Sequence, residues 1–517
     1  MKQAFCRGMM FLKKNASQLS VILWSWLVNS AFGAPFKPVY IAINVFLVLI
    51  LANASKKITV AFLLSLSFSA LILFPVTATF GKPSINMVTA ILYANGEEAH
   101  TTLKNLELLW LIPGVITIFL AFSIIKNINK QLKPGRKTTA FFLIFLVAVL
   151  FIRPLFVYNG QGYIHEIRYP PFISLLKIYD SFRLIKETDM MVSERKTKKT
   201  DFTNATVTPQ KYDTYIMVIG ESVRRDYMNA YGFPFNNTPF LSSSPGIFFD
   251  NYVSASFATV PSLMHTLIRN RGNKPEYNNT VIRLAKEAGL KTYWLSNQGF
   301  YGFYDSPVAI IGMQADHYFF TKKGDGHFGE YSPDTLLLPE IKKSLASSGR
   351  KLIVIHLAGS HVDFCKRVTG KLEFTLYDRQ HSCYVQSIKN TDRLLQTIAS
   401  VATASKDKWT MLYFGDHGLS HMPVIGHLSY RDNKKQNYAP PFTLINYDST
   451  RKEHITALRS GLDFMKMFAQ WTGINVPLLA ADCDYFTQSE CITRPMVYDE
   501  NMKLQSWLSL TDDSPRY

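Results

Sequence analysis

Two hydrophobic rhythms divide this 517-residue chain. Up to about Tyr158 the apolar residues come in long runs with few carboxylates between them. Beyond it they come in short runs separated by charge and turn residues. The first rhythm predicts five membrane-spanning helices, over residues 19–32, 39–52, 58–78, 108–125 and 139–157. The third and fifth are long enough for ~30 Å of hydrocarbon. The first is weakest, because Trp24, Ser25, Asn29 and Ser30 interrupt it, and a cleaved signal peptide competes as a reading there. Four more apolar segments behind it favour a multi-span anchor.

The second rhythm starts at Asp213. β-rich runs at 214–219, 291–295, 352–356, 410–414 and 442–445 alternate with helical patterns at 281–288, 336–344 and 384–401; another, 461–471, follows the last run. That alternation predicts an α/β domain with a largely parallel sheet, whose sites gather beyond the carboxyl ends of its strands. Residues 163–200 read as a linker, either a plain tether or interfacial helices. The expected division is therefore 1–160 for the spans, 161–205 for the juxtamembrane bridge and 206–517 for the soluble domain.

Charge adds an orientation. Lys2, Arg7, Lys13 and Lys14 precede the first span, Lys56 and Lys57 separate the second and third, and Lys126, Lys130, Lys133, Arg136 and Lys137 crowd the loop between the fourth and fifth. The other connections carry little beyond Lys37, Lys82 and Lys104. Alternate loops are thus basic, which places the N-terminus inside and everything after Tyr158 outside, in a bacterium the periplasm. The net charge of +18 is partly this signal and partly the cluster Arg195, Lys196, Lys198 and Lys199, a solvated linker or an attraction for anionic headgroups. It does not suggest nucleic acid, since the basic residues follow the membrane rather than a recognition fold. Of five cysteines, Cys6 falls inside, while Cys365 with Cys383 and Cys483 with Cys491 form two local pairs outside, where two disulfides are expected. No Cys-x-x-Cys occurs, so a thiolate zinc site has no support.

Candidate chemistry sits at strand ends. Gly415-Asp416-His417-Gly418 closes the apolar run 409–414 and offers one ion a carboxylate and an imidazole; Glu221 similarly ends the run 215–220. Alone, that glutamate would pass for a helix N-terminal charge. Gly359-Ser360-His361 follows the 352–356 strand, and His427 lies in Ile425-Gly426-His427-Leu428. Either histidine could be an ordinary loop residue. His421 is expected to face solvent and His356 to be a satisfied core residue. In Ser256-Phe257-Ala258-Thr259-Val260-Pro261-Ser262, Pro261 suits a first helical turn and puts Thr259 near a helix N-terminus, where an anion is favoured. A plain N-cap threonine is the competing reading. As a nucleophile Thr259 would need activation, which a zinc ion held by Glu221, Asp416 and His417 could supply.

In order, Val-Ile-Gly-Glu-Ser, Thr-x-Pro-Ser, Gly-Ser-His and Gly-Asp-His-Gly resemble the membrane phosphoethanolamine transferases of the alkaline phosphatase and sulfatase superfamily. The segment Gly220-Glu221-Ser222-Val223-Arg224-Arg225-Asp226, then Tyr231-Gly232 and Asn237-Thr238-Pro239, is similar to that family's opening motif. Thr259-Val260-Pro261-Ser262 resembles the sulfatase Cys-x-Pro-Ser-Arg motif, with Thr259 in place of the modified cysteine and Leu263 in place of the arginine, which disfavours a formylglycine sulfatase. Ala94-Asn95-Gly96-Glu97-Glu98-Ala99 resembles the family's Thr-Asn-x-x-Glu-Ala, but Ala90 and Ala94 stand where lipid A-modifying members keep polar contacts. Trp294-Leu295-Ser296-Asn297-Gln298-Gly299 lacks that branch's downstream Ser and Lys pattern, and Gly418-Leu419-Ser420 departs from Gly-Glu-Ser.

The resemblance implies a five-helix transmembrane bundle followed by an α/β alkaline-phosphatase/sulfatase-like domain. It implies Zn2+ on Glu221, Asp416, His417 and the Thr259 oxygen, with His361 and His427 contacting the phosphoryl group as proton donors or second-metal ligands. The implied reaction transfers phosphoethanolamine from phosphatidylethanolamine to a lipopolysaccharide or envelope-glycan acceptor by way of Thr259, releasing diacylglycerol. A monomer in the inner membrane with its catalytic domain in the periplasm is expected. A phosphoglycerol transferase, a phosphodiesterase and a non-catalytic membrane-anchored sensor are the alternatives.

Overall fold

The computed structural model describes residues 2–34, 37–80, 88, 108–152, 167, 169–208, 212–272, 274–301, 305–323, 332–421, 428–429, 433–481, 483–491 and 495–516. It divides into two compact units, Met1–Ile185 and Lys186–Tyr517.

In the first unit, helices α1 (Lys2–Ala31), α2 (Pro38–Ala54), α3 (Lys56–Phe80), α4 (Leu111–Gln131) and α5 (Arg136–Val147) fall on the five apolar segments, and α5 continues into a π-helical turn, Ala148–Ile152. Of the residues that weaken the first segment, Ser25 and Ser30 donate to carbonyls of their own helix, at Val21 and Trp26, whereas Trp24 and Asn29 bond to other helices. Trp24 donates from Nε1 to Ser67 Oγ at 2.8 Å, and Asn44 donates from Nδ2 to Asn29 Oδ1 at 2.9 Å. Gly114 lets α4 close on α3, since a Cβ there would lie 2.6 Å from Leu71 Cα. Phe68, Phe119, Phe141 and Ile144 remain exposed. Five crossings were expected; among the described residues two stretches, Lys56–Ala78 and Leu111–Ile128, are long and apolar enough for one. The α2 helix is apolar but has only 17 residues, too short for a full hydrocarbon thickness when straight. Helix α6 (Pro170–Thr197) is one continuous helix through most of the stretch read as linker.

The second unit is built on an eight-stranded sheet. Its strands are β1 (Thr214–Gly220), β2 (Gly246–Phe249), β3 (Lys291–Gly299), β4 (His317–Lys322), β5 (Lys351–His356), β6 (Trp409–Gly415), β7 (Phe442–Asn446) and β8 (Lys452–Ile455), in the order β8-β2-β7-β6-β1-β5-β3-β4. β7 is antiparallel to both neighbours, and every other pairing in the sheet is parallel. Both faces are covered: Tyr215, Met217 and Ile219 enter one core, Ile216 and Val218 the other. That double burial is why the central strands read as unbroken apolar runs. Helix α7 (Thr259–Thr266) precedes β3, as does α8 (Val281–Glu287), while α9 (Leu338–Leu345) precedes β5; α10 (Arg379–Ala404) lies between β5 and β6, and α11 (Phe464–Thr472) follows β8. Three short strands, β2, β4 and β8, were not read as strands from the sequence; β2 is a four-residue apolar run, and β4 and β8 mix polar with apolar residues.

Both expected disulfides form, Cys365–Cys383 and Cys483–Cys491. The first spans 18 residues and fastens the turn after His361 to α10. Closing a loop of that length is worth about 3 kcal/mol in the unfolded-chain entropy model. Cys365→Ser/Cys383→Ser should therefore lower unfolding free energy by about 2–4 kcal/mol, read from denaturant melts.

Candidate metal and nucleophile site

β1 and β6 pair in parallel with Gly220 opposite Gly415. The next residues, Glu221 and Asp416, therefore leave adjacent strand ends side by side, and the Asp416 N–H donates to the Gly220 carbonyl at 3.0 Å. Gly415 allows this exit, because a Cβ there would sit 2.8 Å from Pro440 Cβ. Ser222 takes a left-handed φ of 57° and folds back: its N–H donates to Asp416 Oδ1 at 2.9 Å and its hydroxyl to Glu221 Oε1 at 2.6 Å.

The three charged candidates converge. Ligand atoms of Glu221, Asp416 and His417 all lie within 4.8 Å of one another, and all three residues are buried. His417 Nε2 is 3.6 Å from Glu221 Oε1 and 3.5 Å from Asp416 Oδ2. Its Nδ1 is 2.6 Å from the Gly418 carbonyl, an acceptor that puts the proton on Nδ1 and leaves the Nε2 lone pair aimed into the cluster. Asp416 Oδ1 accepts from the N–H groups of Ser222 and His417, whereas Asp416 Oδ2 is buried without a hydrogen-bond partner. Two buried carboxylates, an oriented imidazole nitrogen and an orphaned carboxylate oxygen form an electron-rich pocket with no positive group among them. A divalent cation supplies what is missing.

Thr259 joins this group. It is the first residue of α7, and the N-cap is Ala258, so the threonine hydroxyl is not used as a cap. It donates to Glu221 Oε2 at 3.0 Å and lies 3.3 Å from His417 Nε2. Ser262, one turn on, ties the helix down by donating to the Asp416 carbonyl at 2.6 Å. The four residues singled out from distant motifs thus meet at one point. The arrangement offers a hydroxyl held against the Glu221 carboxylate and the His417 imidazole at a helix N-terminus, which suits attack on phosphorus.

Residues 213–474 match the sulfatase family. The phosphoethanolamine transferase OpgE of Escherichia coli (strain K12) is 32% identical over 493 residues, covering 93% of this chain and 92% of that one. The chain belongs to the phosphoethanolamine transferase family. A putative phosphoethanolamine transferase of Haemophilus influenzae (strain ATCC 51907 / DSM 11121 / KW20 / Rd) is 33% identical over 363 residues, covering 67% of this chain and 71% of that one. The C-terminal periplasmic domain of EcEptC from Escherichia coli, also solved in complex with Zn, shares the fold at a TM-score of 0.52 and 19% identity, covering 60% of this chain and 98% of that one.

Other parts of this transferase stand differently from expectation. His361 is half-buried in a loop packed on the site, where the Ser360 N–H donates to the Glu221 carbonyl at 3.0 Å. His427 and the segment 89–107 lie outside the described residues. His421, expected in solvent, is 4% exposed, because Asp513 and Tyr227 supply its hydrogen bonds inside the fold. His356 is buried as expected but not satisfied: its Nε2 has no partner, and burial pushes its pKa down to about 4. Two supporting residues gave no usable signal. Gln298, at the end of β3, reaches Glu221 Oε2 at 3.4 Å and the Leu357 carbonyl at 2.9 Å. Asp334 accepts from the Ala358 and Gly359 N–H groups at 2.7 and 3.0 Å and so shapes the loop under Glu221.

Gly359 makes that loop possible. Its φ is 44°, and a Cβ would lie 2.9 Å from the Glu221 backbone nitrogen. Gly359→Ala should therefore displace Glu221. A shift near 1 Å can cost about 10²-fold in rate, so steady-state transfer should fall by roughly that factor.

Proposed function

We propose that this chain transfers phosphoethanolamine from phosphatidylethanolamine to a lipopolysaccharide or envelope-glycan acceptor through a phosphoethanolamine–Thr259 intermediate, releasing diacylglycerol. The observation that carries the reading is the Thr259 hydroxyl, directed at Glu221 and His417 instead of capping its helix. Its Oγ1 attacks the phosphorus and the bond to the glycerol oxygen breaks. The Glu221 carboxylate, already the acceptor of the hydroxyl hydrogen bond, holds the departing proton. The leaving oxygen takes a proton from His361 or His427. The positive end of α7 lies under the phosphoryl group and offsets its charge. An acceptor hydroxyl or phosphate then attacks the same phosphorus and the bond to Thr259 Oγ1 breaks; the acceptor's proton, where it carries one, restores the histidine, and Glu221 returns its proton to Oγ1, a ping-pong sequence.

Zinc, held by Glu221, Asp416, His417 and the Thr259 oxygen, would lower the hydroxyl pKa and draw charge from the phosphoryl oxygens. The donor set suits it: oxygen and nitrogen ligands, four in number, with one carboxylate oxygen unpaired. The Zn complex of the EcEptC periplasmic domain supports the same choice. All five N-terminal helices anchor the enzyme in the inner membrane, with the second unit in the periplasm. The alternating basic loops and the two disulfides support that placement.

The test is incubation of the purified chain with headgroup-labelled phosphatidylethanolamine and, separately, phosphatidylglycerol. The expected result is label on the protein and diacylglycerol release from the ethanolamine lipid alone. Label taken only from the glycerol lipid would overturn the donor assignment.

A further inference from the structure

A second buried network lies behind the metal cluster, and the transfer steps do not use it. Arg224 comes three residues after Glu221, and its side chain is completely buried. It donates to both oxygens of Asp226, at 2.9 and 2.7 Å, to Asp513 Oδ2 at 2.8 Å, and to the Asp513 carbonyl. His421 comes four residues after His417. Its N–H donates to Asp513 Oδ2 at 2.8 Å, its Nδ1 lies 3.0 Å from the same carboxylate, and its Nε2 is 2.9 Å from the Tyr227 hydroxyl.

Asp513 is 92 residues beyond His421, and its place is secured on both sides. Its own N–H donates to Gln436 Oε1 at 2.7 Å, the Lys435 N–H donates to the Thr511 carbonyl at 3.0 Å, and the Arg516 N–H donates to the Tyr227 hydroxyl at 2.8 Å. Burial raises the Asp513 pKa, but hydrogen bonds from His421 and the Arg224 charge outweigh it and bring it to about 2. One carboxylate therefore fastens together the loop after β1 and the loop after β6. These are the two loops that carry Glu221 and the Asp416–His417 pair. The link to the first loop is short: the Arg224 N–H donates to the Tyr384 hydroxyl, which donates to the Ser222 carbonyl.

We propose that Asp513 is a positioning residue that, through Arg224 and His421, sets the spacing between Glu221 and the Asp416–His417 pair and hence the grip of the site on a divalent cation. This rests on the metal reading above. An amide at 513 keeps the shape of the carboxylate but leaves Arg224, a buried cation, with Asp226 as its one charged partner among these groups. The common tether then loses its charge-assisted strength, so the spacing of the two loops is held less firmly, while every ligand residue is retained. Losing a group that supports metal ligands typically weakens a metal site 10–100-fold.

The experiment is zinc affinity of the full chain, by chelator competition in detergent, with thermal midpoints recorded in parallel. Asp513→Asn should bind zinc at least tenfold more weakly than the wild type. Trp471→Ala is the control: its indole bonds Thr410 at the opposite end of β6, so its midpoint should fall while its zinc affinity holds. Wild-type affinity in Asp513→Asn, or an equal loss in Trp471→Ala, would overturn the proposal. Should Asp513→Asn not fold, Arg224→Lys, which cannot span both carboxylates, carries the same expectation, and unchanged affinity there overturns it equally. A wild-type chain that holds no zinc brings down the metal reading, and this inference with it.

Discussion

Thr259→Ala should abolish phosphoethanolamine transfer, by about three orders of magnitude or more, while leaving the fold and the other three metal ligands, Glu221, Asp416 and His417, in place. The hydroxyl is the attacking group in the proposed reaction, and removing a nucleophile that acts as part of a unit costs nearly everything the unit supplies. The structural cost is small. Thr259 is only partly buried, Ala258 already serves as N-cap, and alanine is favourable in a first helical turn. Mass spectrometry after donor exposure should show a phosphoethanolamine adduct on residue 259 in the wild type and none in the variant. Thr259→Ser, which keeps a hydroxyl, should retain the adduct. A modified wild-type protein whose adduct maps elsewhere would end the assignment.

Asp416→Asn should remove zinc binding and at the same time leave the metal-free protein as stable as the wild type, or more so. Asp416 Oδ1 accepts two backbone hydrogen bonds, which an amide oxygen can keep. Asp416 Oδ2 has no partner and lies with another buried carboxylate in the ligand cluster. An amide nitrogen there ends the repulsion between two buried carboxylates. The wild type depends on the metal for that relief. Zinc at a hundred times its Kd should stabilise it by about 2.7 kcal/mol, a rise of a few degrees in thermal midpoint. The variant should show no zinc-dependent rise. Scanning calorimetry with and without zinc checks both halves. A metal-free variant much less stable than the metal-free wild type would show that Asp416 serves the fold rather than an ion.

The central strands were legible because burial on both faces removes alternation and leaves unbroken runs such as Tyr215–Gly220 and Trp409–Gly415. The outer strands β4 and β8 were not. Tyr318, His454 and their neighbours are half-exposed, so these strands carry no continuous apolar signal. The polar residues in the first apolar segment weakened its reading as a span, yet Trp24 and Asn29 make hydrogen bonds between helices. His421 shows a further limit. Nothing near it in sequence suggests burial, because the carboxylate that receives it comes from position 513.

By itself the sequence determined the ligand types at the strand ends, the hydroxyl in a first helical turn, and the separation of an apolar part from an α/β part. Each is a local property, carried by side-chain chemistry and by the period at which apolar residues recur. The tertiary structure decided which of these chemistries meet. The pairing of Gly220 with Gly415 brings Glu221 beside Asp416, and the seat of α7 on the Asp416 carbonyl brings Thr259 to Glu221 and His417. Strand order and register are set by packing among segments as much as 200 residues apart, and no local period encodes that.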